Sequence, residues 1–144
     1  MKISIEVAKL EDANGVAELL RQMGYAASES DAIRRIKLYG QPSYQLLLAK
    51  TEEMTVGFIA LHYYDVLHLP APEGRISSFC VDEKVRGKGI GKTLITAAEN
   101  YFKDNGCYKI VLNSNLKRPE THLFYLNRGY QFTSKHFAKL IEIV

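Results

Sequence analysis

The stretch VDEKVRGKGIGKTLI, Val81 to Ile95, decides how this chain is read. The sequence holds ten glycines, and three of them, Gly87, Gly89 and Gly91, stand here on alternate positions among Arg86, Lys88 and Lys92. A residue without a Cβ lets its backbone N–H approach a ligand closely. N–H groups at the start of a helix point at an anion, and the helix dipole favours negative charge by about 0.3–1 kcal/mol. An apolar run, ISSFCV, precedes the stretch, and Ile90, Leu94, Ile95, Ala97, Ala98, Tyr101 and Phe102 follow at helical spacing. The local reading is strand, glycine turn, helix: a cradle for a phosphate group.

Spacing separates the kinds of phosphate site. Gly91-Lys92-Thr93 imitates the end of a Walker A loop, but that loop needs glycine where this chain has Arg86. A dinucleotide fingerprint on Gly87 and Gly89 needs glycine at position 92, which is Lys92. Both readings fail.

Composition bounds the rest. The chain has 144 residues, which suits a single domain, 1–144; 47% hydrophobic and 24% charged residues are ordinary for a globular protein. No apolar run approaches the ~20 residues of a membrane span, so no membrane partner is expected. The N-terminus, MKISIEVAKLED, gains acidic residues too early for a signal peptide, and the expected location is cytoplasmic. A net charge of +3 is mild, and its cations gather at the glycine turn, so a small anionic ligand is expected rather than nucleic acid. Cys80 and Cys107 have no metal-ligand spacing and read as small core residues; no metal is expected.

Along the chain, ISIEVAK alternates as a strand does, and a helix follows with Ala13, Val16, Ala17, Leu20 and Met23 on one face, Asp12 as N-cap and Gly24 as stop. A second helix ends near Gly40. SYQLLLAKT and TVGFIALHYY read as an antiparallel hairpin, and DVLHLPAPEGR as a loop before ISSFCV. YKIVLNS reads as a buried strand, and PETHLFYLNRG as a helix from Pro119 to Gly129. YQFTSKHFAKLIEIV reads as one or two final strands. The class is α/β with a mixed sheet.

Arg86, Gly87, Lys88, Gly89, Ile90 and Gly91, after a strand and opening a helix, resemble the acyl-CoA loop of the GNAT superfamily of N-acetyltransferases, Q/R-x-x-G-x-G/A. Glu83 stands where many members have proline. Phe124-Tyr125-Leu126-Asn127-Arg128-Gly129-Tyr130 is similar to the family's F-Y-x-x-x-G-F/Y. The segment ETHLFYLNRGYQFTSKHFAKLI looks like one subgroup, with H-x-F-Y in the helix and S/T-K-x-F-x-K after it. The resemblance covers nearly the whole chain. It implies a largely antiparallel central sheet flanked by helices and splayed between the fourth and fifth strands. It implies acetyl-CoA as cosubstrate, held by Arg86 to Lys92 and by the backbone of Phe79, Cys80 and Val81, with Asn115 as a further contact. It implies Tyr125 as general acid to the departing thiolate. Many relatives carry asparagine where this chain has Arg118. Phe124 reads as core, and His122 either lines the cofactor or packs.

Acetyl transfer needs a neutral amine. At pH 7, deprotonating an amine of pKa ~10.4 costs roughly 4.6 kcal/mol. Many family members use a glutamate on the strand before the loop; Arg75 to Val81 holds no carboxylate, which leaves Glu73 upstream, His62, or no dedicated base. Tyr25, Tyr39, Tyr44, His62, Tyr63, Tyr64, Asp65 and His68 supply acceptor candidates. Aromatics beside an acid suit a cationic amine, and a tyrosine-rich edge also suits a homodimer. The expected function is acetyl transfer to a primary amine of a small molecule or peptide through a tetrahedral intermediate. The alternative is a non-catalytic acyl-CoA-binding sensor or partner module.

Overall fold

The hairpin expected from the alternating runs forms β2 (Tyr44–Lys50) and β3 (Thr55–Tyr64). The computed structural model that shows it describes residues 2–52, 54–113, 119–134 and 136–141; Asn115 and Arg118 lie outside them. β1 (Ser4–Val7) pairs antiparallel with β2, β4 (Glu73–Val81) pairs antiparallel with β3, and β5 (Lys109–Leu112) pairs parallel with β4. The sheet order is β1-β2-β3-β4-β5. This is the mixed, largely antiparallel sheet that the resemblance implies.

The splay lies in the last pair. β5 meets only Glu73 to Ile76 of β4, whereas β4 runs on to Val81. From Ser77 onward β4 has β3 on one side and, among the described residues, no strand on the other. In an antiparallel ladder every second residue turns its N–H and C=O away from its partner strand. Along Ser77 to Val81 every second residue thus turns its backbone groups toward an edge that no strand of the described residues borders. The β3–β4 register also shifts here: Ala60 faces Ser78 and Leu61 faces Ile76, so Ser77 is the extra residue of a bulge.

Helices cover both faces of the sheet. α1 (Ala13–Gln22) and α2 (Glu29–Leu38) bury Val16, Ala17, Leu19, Ala32 and Ile36 against Leu46, Leu48, Phe58, Ala60 and Cys80. α2 starts on a capping box: Ser28 Oγ accepts from Asp31 N at 3.1 Å, and Asp31 Oδ2 accepts from Ser28 N at 3.1 Å. α3 (Ile90–Asp104) lies on the opposite face and buries Ile90, Leu94, Ile95, Ala98 and Phe102. Each fully buried large side chain contributes about 1.5–3 kcal/mol. Cys80 belongs to the first core, and its Sγ lies 3.7 Å from Leu19 O.

Several expectations need correction. Asp12 stands at the N-cap of α1 without capping it: Oδ2 accepts from Lys9 N at 2.8 Å, and Oδ1 pairs with Lys50 Nζ at 2.6 Å. Its two oxygens are engaged by Lys9 N and by a lysine reaching from β2, and neither caps α1. β4 begins at Glu73, within what reads as loop, because Glu73, Gly74 and Arg75 are paired on both sides, by β3 and β5. The strand before the glycine loop thus does carry a carboxylate, at its first position. β5 is half-buried rather than buried.

The chain divides into two compact units, Met1–Leu112 and Asn113–Val144. In the second, α4 (Pro119–Asn127) ends as expected, with Gly129 at φ 89 and Tyr130 N donating to Tyr125 O at 3.1 Å. The described residues after it form no strand. Their exposed apolar side chains, Phe132, Phe137, Leu140 and Ile141, do not keep a period of two, so no single face is apolar.

Candidate active site

The glycine loop starts from a fixed point. Asp82 is buried; its N–H donates to Val56 O at 2.8 Å, and its Oδ1 accepts from Lys84 N at 2.9 Å. That cap closes a single 3-10 turn, Glu83–Val85, so glutamate takes the proline position without disturbing the turn. Glu83 N also donates to Gln22 Oε1 on α1 at 3.1 Å. Arg86 Nε then donates to Val81 O at 3.2 Å. Gly87 and Gly89 follow at φ 80 and φ 83, in the left-handed region where a Cβ is strained. A Cβ at either would meet nothing within 4 Å, so the loop's outer side is open.

Ile90 pins the start of α3 into the core, close to Gly57. Thr93 is the first residue to bond back within the helix, with its N donating to Gly89 O at 3.1 Å. The N–H groups of Ile90, Gly91 and Lys92 occupy the first turn, which has no intrahelical acceptor. Arg86, Lys88 and Lys92 are exposed around it. Donors without a Cβ in front of them, a positive helix end and three cations fit a diphosphate. The expected loop residues are therefore gathered on one turn, next to the open edge of Phe79, Cys80 and Val81. The Cys80 side chain points into the α1 core, so only its backbone borders that edge.

Beyond the ends of α1 and α2, the same sheet face carries a polar and aromatic cluster. The Tyr44 ring stacks on the His62 ring at 5.1 Å, Tyr64 flanks it at 5.5 Å, and Tyr39 meets Tyr44 edge-on at 5.4 Å. The Tyr39 and Ser77 hydroxyls are 3.0 Å apart, which ties α2 to the bulge. The Tyr64 hydroxyl donates to Glu73 Oε2 at 2.6 Å and accepts from Arg75 Nε at 3.2 Å. His62 is held below its ordinary value of 6.5, first by burial and then by Arg75.

Four of the expected acceptor residues, Tyr39, Tyr44, His62 and Tyr64, thus come together. Tyr63 points to the other face, where its hydroxyl donates to Asn105 Oδ1 at 3.2 Å and its ring faces Tyr101. Tyr25, Asp65 and His68 are exposed outside the cluster. The acid beside the aromatics is Glu73, not Asp65. Arg75 is the residue that sequence reasoning passed over; an arginine opening an apolar run was the available signal.

In the second unit, the Tyr125 ring contacts Phe124 at 5.5 Å and Tyr130 at 5.8 Å. Burial pushes its phenol up to about 12. Phe124 and His122 are half-buried.

Comparison with known proteins follows this geometry. Residues 13–130 match the model of the Acetyltransferase (GNAT) family. The aminoalkylphosphonate N-acetyltransferase of Salmonella typhimurium is 33% identical over 100 residues, which are 69% of this chain and 65% of that protein. The glucosamine 6-phosphate N-acetyltransferase of Arabidopsis thaliana is 27% identical over 99% of this chain and 100% of its own. A crystal structure of a GNAT family acetyltransferase from Staphylococcus aureus superposes with a TM-score of 0.84 at 27% identity, over 98% of this chain and 100% of that one. The chain belongs to the GNAT acetyltransferase family.

Proposed function

We propose that this chain transfers an acetyl group from acetyl-CoA to a primary amine by direct attack through a tetrahedral intermediate. The observation that carries the reading is the pair of left-handed glycines, Gly87 and Gly89, between the open edge of β4 and the start of α3. The names of the two curated relatives, an aminoalkylphosphonate and a glucosamine 6-phosphate acetyltransferase, support a small acceptor with a phosphorus oxyanion over a peptide.

Arg86, Gly87, Lys88, Gly89, Ile90, Gly91 and Lys92 hold the diphosphate of the cosubstrate. The backbone of Phe79, Cys80 and Val81 receives the pantetheine amides and the acetyl carbonyl, and Asn115 adds a contact. When bound, acetyl-CoA supplies an activated thioester. A backbone donor to the developing oxyanion is worth about 10²–10³ in rate.

Tyr125 donates a hydrogen bond to the departing sulfur. With the phenol at about 12 and a thiol near ~8.5, full proton transfer to the sulfur is uphill by several kcal/mol. The phenol therefore stabilises the thiolate as a donor rather than surrendering its proton. The acceptor's own proton leaves to water. Glu73 is engaged by Tyr64, and a proton on His62 Nδ1 would stand buried with no acceptor.

A thiol-release assay with acetyl-CoA tests the reading across aminophosphonates, amino sugar phosphates, polyamines, amino acids, aminoglycosides and short peptides. Turnover of an amine, with coenzyme A binding by calorimetry, is expected. Binding without any turnover would favour the sensor module, and no binding would overturn the assignment.

A further inference from the structure

Arg75 and His62 stand directly opposite each other across the β3–β4 ladder, where side chains lie about 4.5–5.5 Å apart. Both belong to the face that carries Tyr44, Tyr64 and Glu73. Glu73 is the carboxylate of this cluster. It accepts from the Tyr64 hydroxyl at 2.6 Å, and its Oε1 lies 3.8 Å from Lys109 Nζ. Arg75, through the Tyr64 hydroxyl, and Lys109 both stand beside this carboxylate.

The imidazole adds a donor. His62 Nδ1 is buried and, among the described residues, has no hydrogen-bond partner. An N–H on that atom would lack an acceptor among the described residues and would feel the guanidinium's field, so the ring proton belongs on Nε2. A neutral ring with its N–H on Nε2, beside a planar guanidinium, suits the oxygens of an anion and repels an ammonium group. The rings of Tyr39 and Tyr44 offer apolar walls to a short carbon chain.

We propose that Arg75 and His62 recognise the phosphate or phosphonate group of the amine acceptor, with its amine directed along β4 toward the bulge at Ser77. Ser77 stands two residues beyond Arg75, about 6–7 Å along the strand, a span that a short amino-phosphonate bridges. The assignment rests on the acetyltransferase reading and deepens it. It adds to the expectation that aromatics beside an acid suit a cationic amine: the amine end is cationic, and the end that the protein reads is anionic.

The test compares kcat/KM for phosphoethanolamine against ethanolamine, and for aminoethylphosphonate against propylamine. The wild type is expected to prefer each anionic member at least about tenfold. Arg75→Gln lowers that ratio by about 10–100-fold, the cost of one charge-assisted contact, mainly through KM. Arg75→Lys keeps part of the preference. His62→Gln, which retains an N–H donor, keeps most of it, and His62→Phe does not. Calorimetry with coenzyme A reports whether each variant is folded. In parallel, methylphosphonate titrated into the wild type shifts the His62 Nε2 resonance in NMR spectra. Equal use of neutral and anionic amines, or an unchanged ratio in Arg75→Gln, overturns the proposal while the acetyltransferase reading stands. If no amine is acetylated, that reading fails, and the NMR titration decides the anion site by itself: a silent His62 overturns it.

Discussion

Gly74 on β4 lies beneath the ring of Phe102 on α3: a Cβ at position 74 would stand 2.7 Å from both Cε1 and Cγ of that ring. Phe102 is among the largest fully buried side chains, so neither partner has room to retreat. The close approach lets α3 settle on the strand that leads to the glycine loop. Gly74→Ala is expected to cost about 1–3 kcal/mol by overpacking, lowering Tm by roughly 3–10 °C. In a Phe102→Leu background the same change should cost less than half as much. Additive losses in that cycle, measured by thermal unfolding, would show that the ring is not what excludes the methyl group.

Gly89 and Gly106 form a matched pair. Both have positive φ, 83 and 76, and a Cβ at either would meet nothing within 4 Å. One precedes α3 and the other follows it. An alanine at each site incurs a similar backbone strain of about 1–2 kcal/mol. Only at Gly89 does the added methyl enter the space in front of the first-turn N–H groups. Gly89→Ala is expected to weaken coenzyme A binding by about tenfold or more, whereas Gly106→Ala leaves it within about twofold. Calorimetry on both proteins decides: equal losses would mean that strain, not access to the loop, sets the affinity.

Much of this architecture was legible from local pattern. The period of the β2 and β3 residues and the stops at Gly24 and Gly129 each act within a few residues. The glycine loop was legible because its strand, turn and helix are contiguous. What escaped depends on pairing between distant segments. Glu73 and Arg75 read as loop because their strand character comes from Tyr64, His62, Lys109 and Val111 across the ladders. Asp12 read as a cap because nothing local announces Lys50. The bulge at Ser77 is a register shift against Ala60 and Leu61, visible only once the strands are paired. In the last segment, YQFTSKHFAKLIEIV, the described residues form no strand, and the rest of that expectation lies outside them.

Burial pushes the Tyr125 phenol up to about 12, and the proposed reaction runs near neutral pH. Raising a phenol's pKa stabilises its neutral form, so the hydroxyl keeps its proton throughout the working range. Tyr125→Phe is expected to lower kcat about 10²-fold and to leave coenzyme A affinity within about twofold. The wild-type rate should show no falling limb attributable to this phenol below about pH 11. A Phe variant with undiminished kcat would remove Tyr125 from the chemistry and return it to packing with Phe124 and Tyr130.

His62 links the acceptor face to stability. Its folded pKa lies below 6.5, through burial first and the Arg75 charge second. The folded protein therefore binds fewer protons here than the unfolded chain does. Stability from this group is present above about pH 6.5 and is lost as pH falls toward the folded pKa. Besides Arg75, the rings of Tyr44 and Tyr64 face the imidazole, and Glu73 accepts from Tyr64, so none of them is bonded to that nitrogen. Urea unfolding of the wild type and of His62→Gln at pH 5, 6, 7 and 8 is expected to give curves that diverge below pH 7, with the wild type falling more steeply. Parallel curves would mean that protonated His62 is accommodated in the fold, and that an acceptor for Nδ1–H exists on acidification.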